Sequence, residues 1–378
     1  MRIAIVTESF LPSINGVTNS VLRVADTLIE RGHEVLIIAP TSEGPRYRSA
    51  SVVTTPHLEL AGFPIGFPTA QVTQALDAFA PDVIHAAAPF WLGGQALSYA
   101  TRRGIASVAV YQTDVAGYMH RYGLEFASPL IDAIVQAVHK PATITLAPTP
   151  DGVAYLERLG VDRVAVWGRG VDDQMFTPRG AHHDRATVLR RRWAPGGEFL
   201  VGYVGRLAPE KQVGRLKELC DLPGLHIVIV GEGPDRDELE DVFMHQPVTF
   251  AGALHGEELA DAYRSLDAFV HCGEEETFGQ TIQEAKASGL PVVVANRGGP
   301  RHLIRDGEDG FLVEPGTWGA YRAVVRRLMA DPALRESVGR AARRSVEGKS
   351  WQRNNDELLA YYRFALASLQ PSARAAAA

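Results

Sequence analysis

The stretch Phe199-Leu200-Val201-Gly202-Tyr203-Val204-Gly205-Arg206-Leu207-Ala208-Pro209-Glu210-Lys211 decides how this sequence is read. An apolar run of six residues stops at a glycine and gives way to a proline and charged residues. A short run bounded in this way reads as a buried strand leaving a sheet through a turn. Similar runs follow at His226 to Val230, Val248 to Phe250, Ala268 to His271 and Val292 to Ala295, with helix-length amphipathic segments between them. That alternation is the pattern of a parallel sheet crossed by helices.

Moving towards the N-terminus, the alternation breaks. Residues 173–197 hold Pro178, Gly180, His182, His183, Arg190 to Arg192 and Pro195-Gly196-Gly197, which read as a connection. Before it, strands are expected near Arg2 to Val6, Glu34 to Ala39, Asp82 to Ala86, Ser107 to Tyr111, Thr143 to Leu146 and Arg163 to Val166, with helices such as Asn19 to Arg31 and Gly93 to Arg103. The expected organisation is therefore α/β: a first domain over 1–172, a linker over 173–197 and a second domain over 198–350, both domains doubly wound and Rossmann-like. After Pro332 the signal is helical, and a last helix over 351–370 is free to cross back to the first domain. Two such domains facing each other would place the carboxyl ends of both sheets on a central crevice, where open α/β sheets bind ligands.

The 378 residues suit two domains at roughly 150 residues each. Net charge is −6, with 46% hydrophobic and 22% charged residues, which argues against disordered, collagenous and strongly nucleic-acid-binding classes. Two cysteines, Cys220 and Cys272, give no disulfide framework and point to a reducing compartment. The start MRIAIVTESF begins as a strand, and no run of about 18 apolar residues occurs, so neither export nor a membrane span is expected.

Loops after strands are where chemistry is expected. Ser9 to Val17 leads into a helix whose opening amides favour an anion, and Gly16 would permit close backbone approach. Gly16 would equally serve a plain turn. Arg206 and Lys211 share one strand-to-helix loop and suit a diphosphate, Arg as a bidentate fork and Lys as a point charge. The strongest signal is Glu274-Glu275-Glu276-Thr277-Phe278-Gly279-Gln280-Thr281-Ile282-Gln283-Glu284. Thr277 to Gly279 are expected to open a helix, with Glu284 about two turns in, on the face of Glu276, where a carboxylate suits sugar or ribose hydroxyls.

Other signals read more plainly. Asp235-Arg236-Asp237 follows Gly233-Pro234 at a helix start, where an acid caps free amides rather than holding a metal. His182-His183-Asp184 stands without further ligands and reads as solvated, as does the Arg-rich stretch Arg322 to Arg344. Gly231-x-Gly233 lacks the third glycine of a dinucleotide fingerprint. Ala61 to Pro68 offers Phe63 and Phe67, which with Arg46, Arg48, Arg102 and Arg103 would suit an anionic bilayer, or would simply pack under a loop.

Gly16, the Gly205-Arg206 to Lys211 stretch, Gly231-Glu232-Gly233-Pro234, the Glu276-x7-Glu284 pair, Gly289-x-Pro291-Val292 and Gly298-Gly299-Pro300 together resemble the retaining family 4 glycosyltransferases of GT-B fold, over essentially the whole chain. Thr7-Glu8-Ser9-Phe10-Leu11-Pro12, Tyr111-Gln112-Thr113-Asp114 and Gly298-Gly299-Pro300-Arg301 further resemble the actinobacterial GDP-mannose-dependent α-mannosyltransferases of glycolipid and phosphatidylinositol mannoside synthesis.

That resemblance implies a donor, GDP-mannose, held without a metal or other cofactor, and a lipid-linked acceptor met peripherally at the cytoplasmic face of the plasma membrane. It implies no nucleic-acid partner. Arg206 and Lys211 would hold the diphosphate and offset the charge of the leaving group. Glu276 would face the transferred sugar, with the amides of Thr277, Phe278 and Gly279 near sugar and phosphate. Glu284 would bind the ribose and Gly16 the diphosphate. Many family members carry a His where this sequence has Gln112, which still hydrogen-bonds a hydroxyl but does not titrate. Asp114 would share that load, and His120 reads as solvated. Retention in this family needs no protein nucleophile, and none is nominated. A UDP-sugar donor with a soluble acceptor, or a non-catalytic nucleotide-sugar-binding protein, are the alternatives.

Overall fold

Along the first half, alternate residues of each apolar run go to opposite faces of one sheet, so both faces must be covered. Ile3 and Ile5 of β1 (Arg2–Thr7) join one core with helix Gly16–Glu30, while Ala4 and Val6 join another with helices Ala70–Phe79 and Trp91–Arg103. The computed structural model describes every residue except Ile14 and residues 61–62, 113–127, 179–183 and 370–378. The remaining strands of this half are β2 (Glu34–Ala39), β3 (Arg46–Tyr47), β4 (Ala50–Thr54), β5 (His57–Leu60), β6 (Phe63–Gly66), β7 (Val83–Ala87), β8 (Ala106–Val110), β9 (Ile144–Ala147) and β10 (Val164–Val166). Eight of them form a sheet of order β10-β9-β8-β7-β1-β2-β4-β3, parallel except at β3–β4, and β5–β6 is a separate antiparallel hairpin.

The second half carries β11 (Phe199–Val204), β12 (Leu225–Val230), β13 (Val248–Gly252), β14 (Ala268–His271), β15 (Val292–Ala295) and β16 (Phe311–Val313). They form a parallel sheet of order β13-β12-β11-β14-β15-β16. Val201 and Tyr203 of β11 go to one core, and Leu200 and Val204 to the other.

The chain divides into two compact units, Met1–Arg169 with Trp351–Ala378, and Gly170–Ser350. Helix Trp351–Leu369 thus belongs with the first sheet. It buries Leu358, Leu359, Tyr362 and Ala365, and Asn355 donates to Arg23 O (2.9 Å) and Thr27 Oγ1 (2.8 Å). The stretch read as a connection, 173–197, carries helix Asp184–Trp193 within the second unit. The reason is local: the helix buries only Ala186 and Trp193, while Arg190 donates to Ser265 O and pairs with Asp267, both at 2.8 Å, so its sequence looks polar. The Arg-rich stretch is not wholly solvated either. Arg343 donates to the carbonyls of Phe176, Ala287 and Asp173 and thereby ties the start of the second unit to its body.

Two histidines are enclosed in the first unit. Burial pushes His85 down to about 3 and His139 down to about 4, so both are neutral in the fold. An unfolded chain protonates histidine near 6.5, so between about pH 6.5 and 4 it binds more protons than the folded one, and stability falls as the pH drops through that window. Because the buried His139 and Glu8 also titrate, the check is comparative: between pH 7 and 5 His85→Gln should lose less stability than wild type as the pH falls, and equal slopes in the two would contradict it.

Candidate active site

In the second sheet β11 pairs with β12 on one side and β14 on the other, so the winding reverses at β11/β14. Ligands of open parallel sheets bind outside the carboxyl ends of strands at such a point. The loops that leave there are Gly205 to Lys211 and Cys272 to Gly279, the two that carry the strongest sequence signals. They lie against each other: a Cβ on Gly273 would meet Glu210 O at 3.3 Å and Lys211 Cα at 3.4 Å.

Lys211 Nζ forms an ion pair and hydrogen bond with Glu276 Oε1, and His271 Nε2 stands 3.3 Å from the same oxygen. Lys211 and Glu276 side chains are only 17% and 21% exposed, so the pair is largely out of water. Burial alone would raise the Glu276 pKa, but Lys211 and then His271 outweigh it and hold the carboxyl well below the usual carboxylate range. Beneath them Tyr203 lies 6.0 Å from the His271 ring and donates to Arg206 O (3.0 Å), which fixes the backbone of that loop. The Arg206 side chain itself is exposed.

Helix Gln280–Ala287 begins after Gly279, whose φ of 103° is open to glycine. Glu276 therefore lies in the loop before the helix rather than on a shared helix face, and the buried Phe278 separates the two. Glu284 is held by the buried Tyr263, whose hydroxyl donates to Glu284 Oε2 (3.1 Å) and Thr281 O (3.2 Å). Burial, then Glu284, pushes the Tyr263 phenol well above its ordinary value, so it remains a donor.

The glycine motifs serve backbone approach around these loops. A Cβ on Gly231 would sit 1.9 Å from Gly205 O, on Gly233 2.1 Å from Leu207 O, and on Gly299 2.4 Å from Phe278 N.

In the first sheet β1 lies between β2 and β7, so the winding reverses at β1/β7. Glu8, just past β1, accepts from Phe90 N (3.0 Å) and Gly93 N (3.1 Å) at the start of helix Trp91–Arg103. Its pKa is raised to about 6, burial outweighing the backbone donors. Asn15 caps helix Gly16–Glu30 by accepting from Val17 N (2.9 Å) and Thr18 N (3.0 Å). Arg169 then joins two of the expected site residues, donating to Gly16 O (2.6 Å) and Gln112 Oε1 (2.8 Å). Asp114, His120, His182 and His183 lie outside the described residues.

His271, Tyr263, Glu8 and Arg169 were not nominated from sequence. Only strand-end position would have signalled His271 and Glu8, and nothing local signals the other two. Asp235 precedes helix Arg236–Val242 but makes no side-chain cap; burial first, then Glu238 and Glu210, raise its pKa against the pull of Arg206. Among the described residues no group of three His, Cys, Asp or Glu is placed to hold a metal. Arg48 pairs with Asp26 (2.9 Å) and Glu30 (3.1 Å), and Arg103 with Asp77 (2.7 Å), so these two cations of the expected basic patch face acids.

Two doubly wound units, each built on a largely parallel sheet, are the GT-B fold, and the family models and relatives that it matches make this chain a glycosyltransferase. Residues 14–175 match the model of Glycosyltransferase Family 4, and residues 186–345 that of Glycosyl transferases group 1. The chain is 44% identical over 375 residues to a GDP-mannose-dependent alpha-mannosyltransferase of Mycobacterium tuberculosis, covering 96% of each. It is 41% identical to the Corynebacterium glutamicum protein of that name, covering 96% of this chain and 88% of the other. Among solved structures, sucrose-phosphate synthase from Thermosynechococcus elongatus superposes with a TM-score of 0.80 at 20% identity, over 97% of this chain and all of that one. The chain belongs to glycosyltransferase family 4.

The close approaches set a sharp expectation. Gly231→Ala, with φ of 140° and a carbonyl in the way, is expected to destabilise the second unit by about 1–3 kcal/mol or more. Gly224→Ala, which meets nothing within 4 Å, should cost only the strain of its φ of 73°. Equal shifts in denaturation midpoint for the two would refute the reading of Gly231 as a contact glycine.

Proposed function

We propose that this chain transfers an α-mannosyl residue from GDP-mannose to a lipid-linked acceptor with retention of configuration. The names of the relatives 41–44% identical over nearly the whole chain support the donor and the sugar. The single observation that carries the chemistry is the Lys211–Glu276 pair at the β11/β14 switch point, with Glu284 on the helix that follows. Lys211 and Arg206 hold the diphosphate and offset the charge that develops on it, a role otherwise given to a metal. Glu276, kept ionised by Lys211 and His271, accepts from hydroxyls of the transferred sugar, and the amides of Thr277, Phe278 and Gly279 lie at its phosphate side. Glu284, steadied by Tyr263, accepts from the ribose hydroxyls. Gly16 lies against the diphosphate, and Gln112 and Asp114 bind sugar or acceptor hydroxyls.

No described helix is long and apolar enough to cross a membrane. Contact with a bilayer at its cytoplasmic face would be peripheral. Leu58, Phe67 and Trp91, exposed at 59%, 37% and 43%, support this, the Phe67 and Trp91 rings lying 5.8 Å apart.

Purified protein given labelled GDP-mannose and a total lipid extract should yield mannosylated lipid, with labelled UDP-sugars inert in parallel. Lys211→Ala and Glu284→Ala are expected to lower turnover roughly a hundredfold or more, Glu284→Ala melting near wild type and Lys211→Ala at a lower temperature because Glu276 loses its cation; wild-type turnover in both would sink the assignment. GDP at 100 times its dissociation constant should stabilise the protein by about 2.7 kcal/mol. An equal effect of UDP at the same concentration would remove the preference for GDP.

A further inference from the structure

We propose that His271 is a positioning residue: it keeps hold of the Glu276 carboxylate when the diphosphate of the sugar donor draws Lys211 away. This rests on the functional reading above and adds to it what becomes of Glu276 once its cation turns to the donor.

One oxygen has two partners. Glu276 Oε1 is paired with Lys211 Nζ, and His271 Nε2 stands 3.3 Å from it, just beyond the usual N–H···O range of about 2.7–3.2 Å. A neutral imidazole has a single N–H, and a nitrogen that faces a carboxylate oxygen must be the one that carries it, so the ring presents Nε2–H to Glu276. Nδ1 is then bare, and it is buried without a partner among the described residues. An apolar side chain would close the end of β14 without leaving a polar atom unmet, as Ala268, Phe269 and Val270 do along the rest of the strand. A histidine in that place is explained by what its other nitrogen faces.

The two partners differ in freedom. Lys211 ends the short turn Pro209–Lys211 and carries its charge on a flexible four-carbon stem, so Nζ can swing while the backbone stays. His271 cannot follow it. The Tyr203 ring lies 6.0 Å from the imidazole, tilted by 30°, and a Cβ on Gly273 would come within 2.9 Å of His271 Cε1. The imidazole is therefore the fixed partner and the ammonium the movable one. A diphosphate carries more negative charge than one carboxylate, so Lys211 turns to it and leaves a largely buried carboxylate that needs another donor. Moving Oε1 by about 0.3 Å brings it to an ordinary hydrogen-bond distance from Nε2. Glu276 thus keeps its place and its charge for the hydroxyls of the sugar.

The test is a calorimetric titration of the whole chain with GDP, joined to a spectroscopic arm. His271→Phe keeps a ring but loses the N–H, and is expected to bind GDP at least about tenfold more weakly, because binding then strips Glu276 of its remaining partner. His271→Gln, which places an N–H at about the reach of Nε2, should recover most of that affinity. In a Glu276→Gln background, where no charge is left behind, His271→Phe should cost less than about threefold. Wild-type affinity in His271→Phe, the result if Lys211 bridges both anions with its three donors, would overturn the proposal, as would an equal loss in the Glu276→Gln background. Should His271→Phe not fold, the wild type carries the test. In protein labelled with 15N-histidine, the His271 ring, identified by its absence in His271→Gln, should show a protonated Nε2 and a bare Nδ1. Its Nε2–H proton should move downfield on saturation with GDP, and should not do so in Glu276→Gln. An Nε2–H unmoved by bound GDP would refute the positioning role even in an inactive protein. A wild type that binds GDP in this pattern yet transfers no mannose would overturn the functional reading alone, and one that binds neither GDP nor UDP would overturn both.

Discussion

A carboxylate taken out of water must be met by a cation and by donors, or it takes up a proton. Glu276 is such a carboxylate, and meeting that need sets much of the local structure of the second unit. Its cation, Lys211, comes from the loop after β11, and its imidazole partner, His271, ends β14. These strands are neighbours because the winding reverses between them, so topology places the two halves of the ion pair side by side. Remove one partner and the other remains buried and uncompensated, a change that costs several times what the intact pair contributes.

Bringing two strand-ending loops into that contact leaves little room for side chains, and the glycines follow from it. Gly231 and Gly233 stand where backbone meets backbone beside the Lys211 loop, Gly205 against the Tyr203 ring, and Gly298 and Gly299 where backbone meets Glu274 to Phe278. Each of these glycines has a packing reason that needs no ligand. Tyr203 and Tyr263, both buried, then lie under the two glutamates and hold the surrounding backbone from below.

The strands and the loops that matter were legible because parallel strands covered on both faces read as continuous apolar runs, and such runs end abruptly at the loops that carry charge. Helix Asp184–Trp193 was not legible, since it buries two residues and spends Arg190 on the Ser265 carbonyl and Asp267. Strands β3 to β6 were missed for a different reason: they are two to five residues long, and β6 contains Pro64. Of the candidate site, Lys211 and Glu276 were singled out by loop position and Glu284 as an acid within the following helix. His271 and Arg169 were not, because their roles depend on which strands are adjacent, and adjacency is a property of sheet order rather than of local sequence.

The two units also differ in how their helix starts are satisfied, which bears on where an anion is best held. In the first unit Asn15 caps helix Gly16–Glu30, and Glu8 reaches across from β1 to the start of helix Trp91–Arg103. Both helix starts at that switch point thus spend donors on the protein's own oxygens, and one already faces a carboxyl group. In the second unit helix Gln280–Ala287 starts from Gly279, which has no side chain to cap it. A helix start without such a cap keeps its amide donors and its positive end of the dipole for what lies in front. Arg206 and Lys211 stand on the adjoining loop, Lys211 paired with Glu276. An anion brought to the second unit would find amide donors at the start of helix Gln280–Ala287, whereas the two helix starts described at the switch point of the first unit already face the protein's own oxygens.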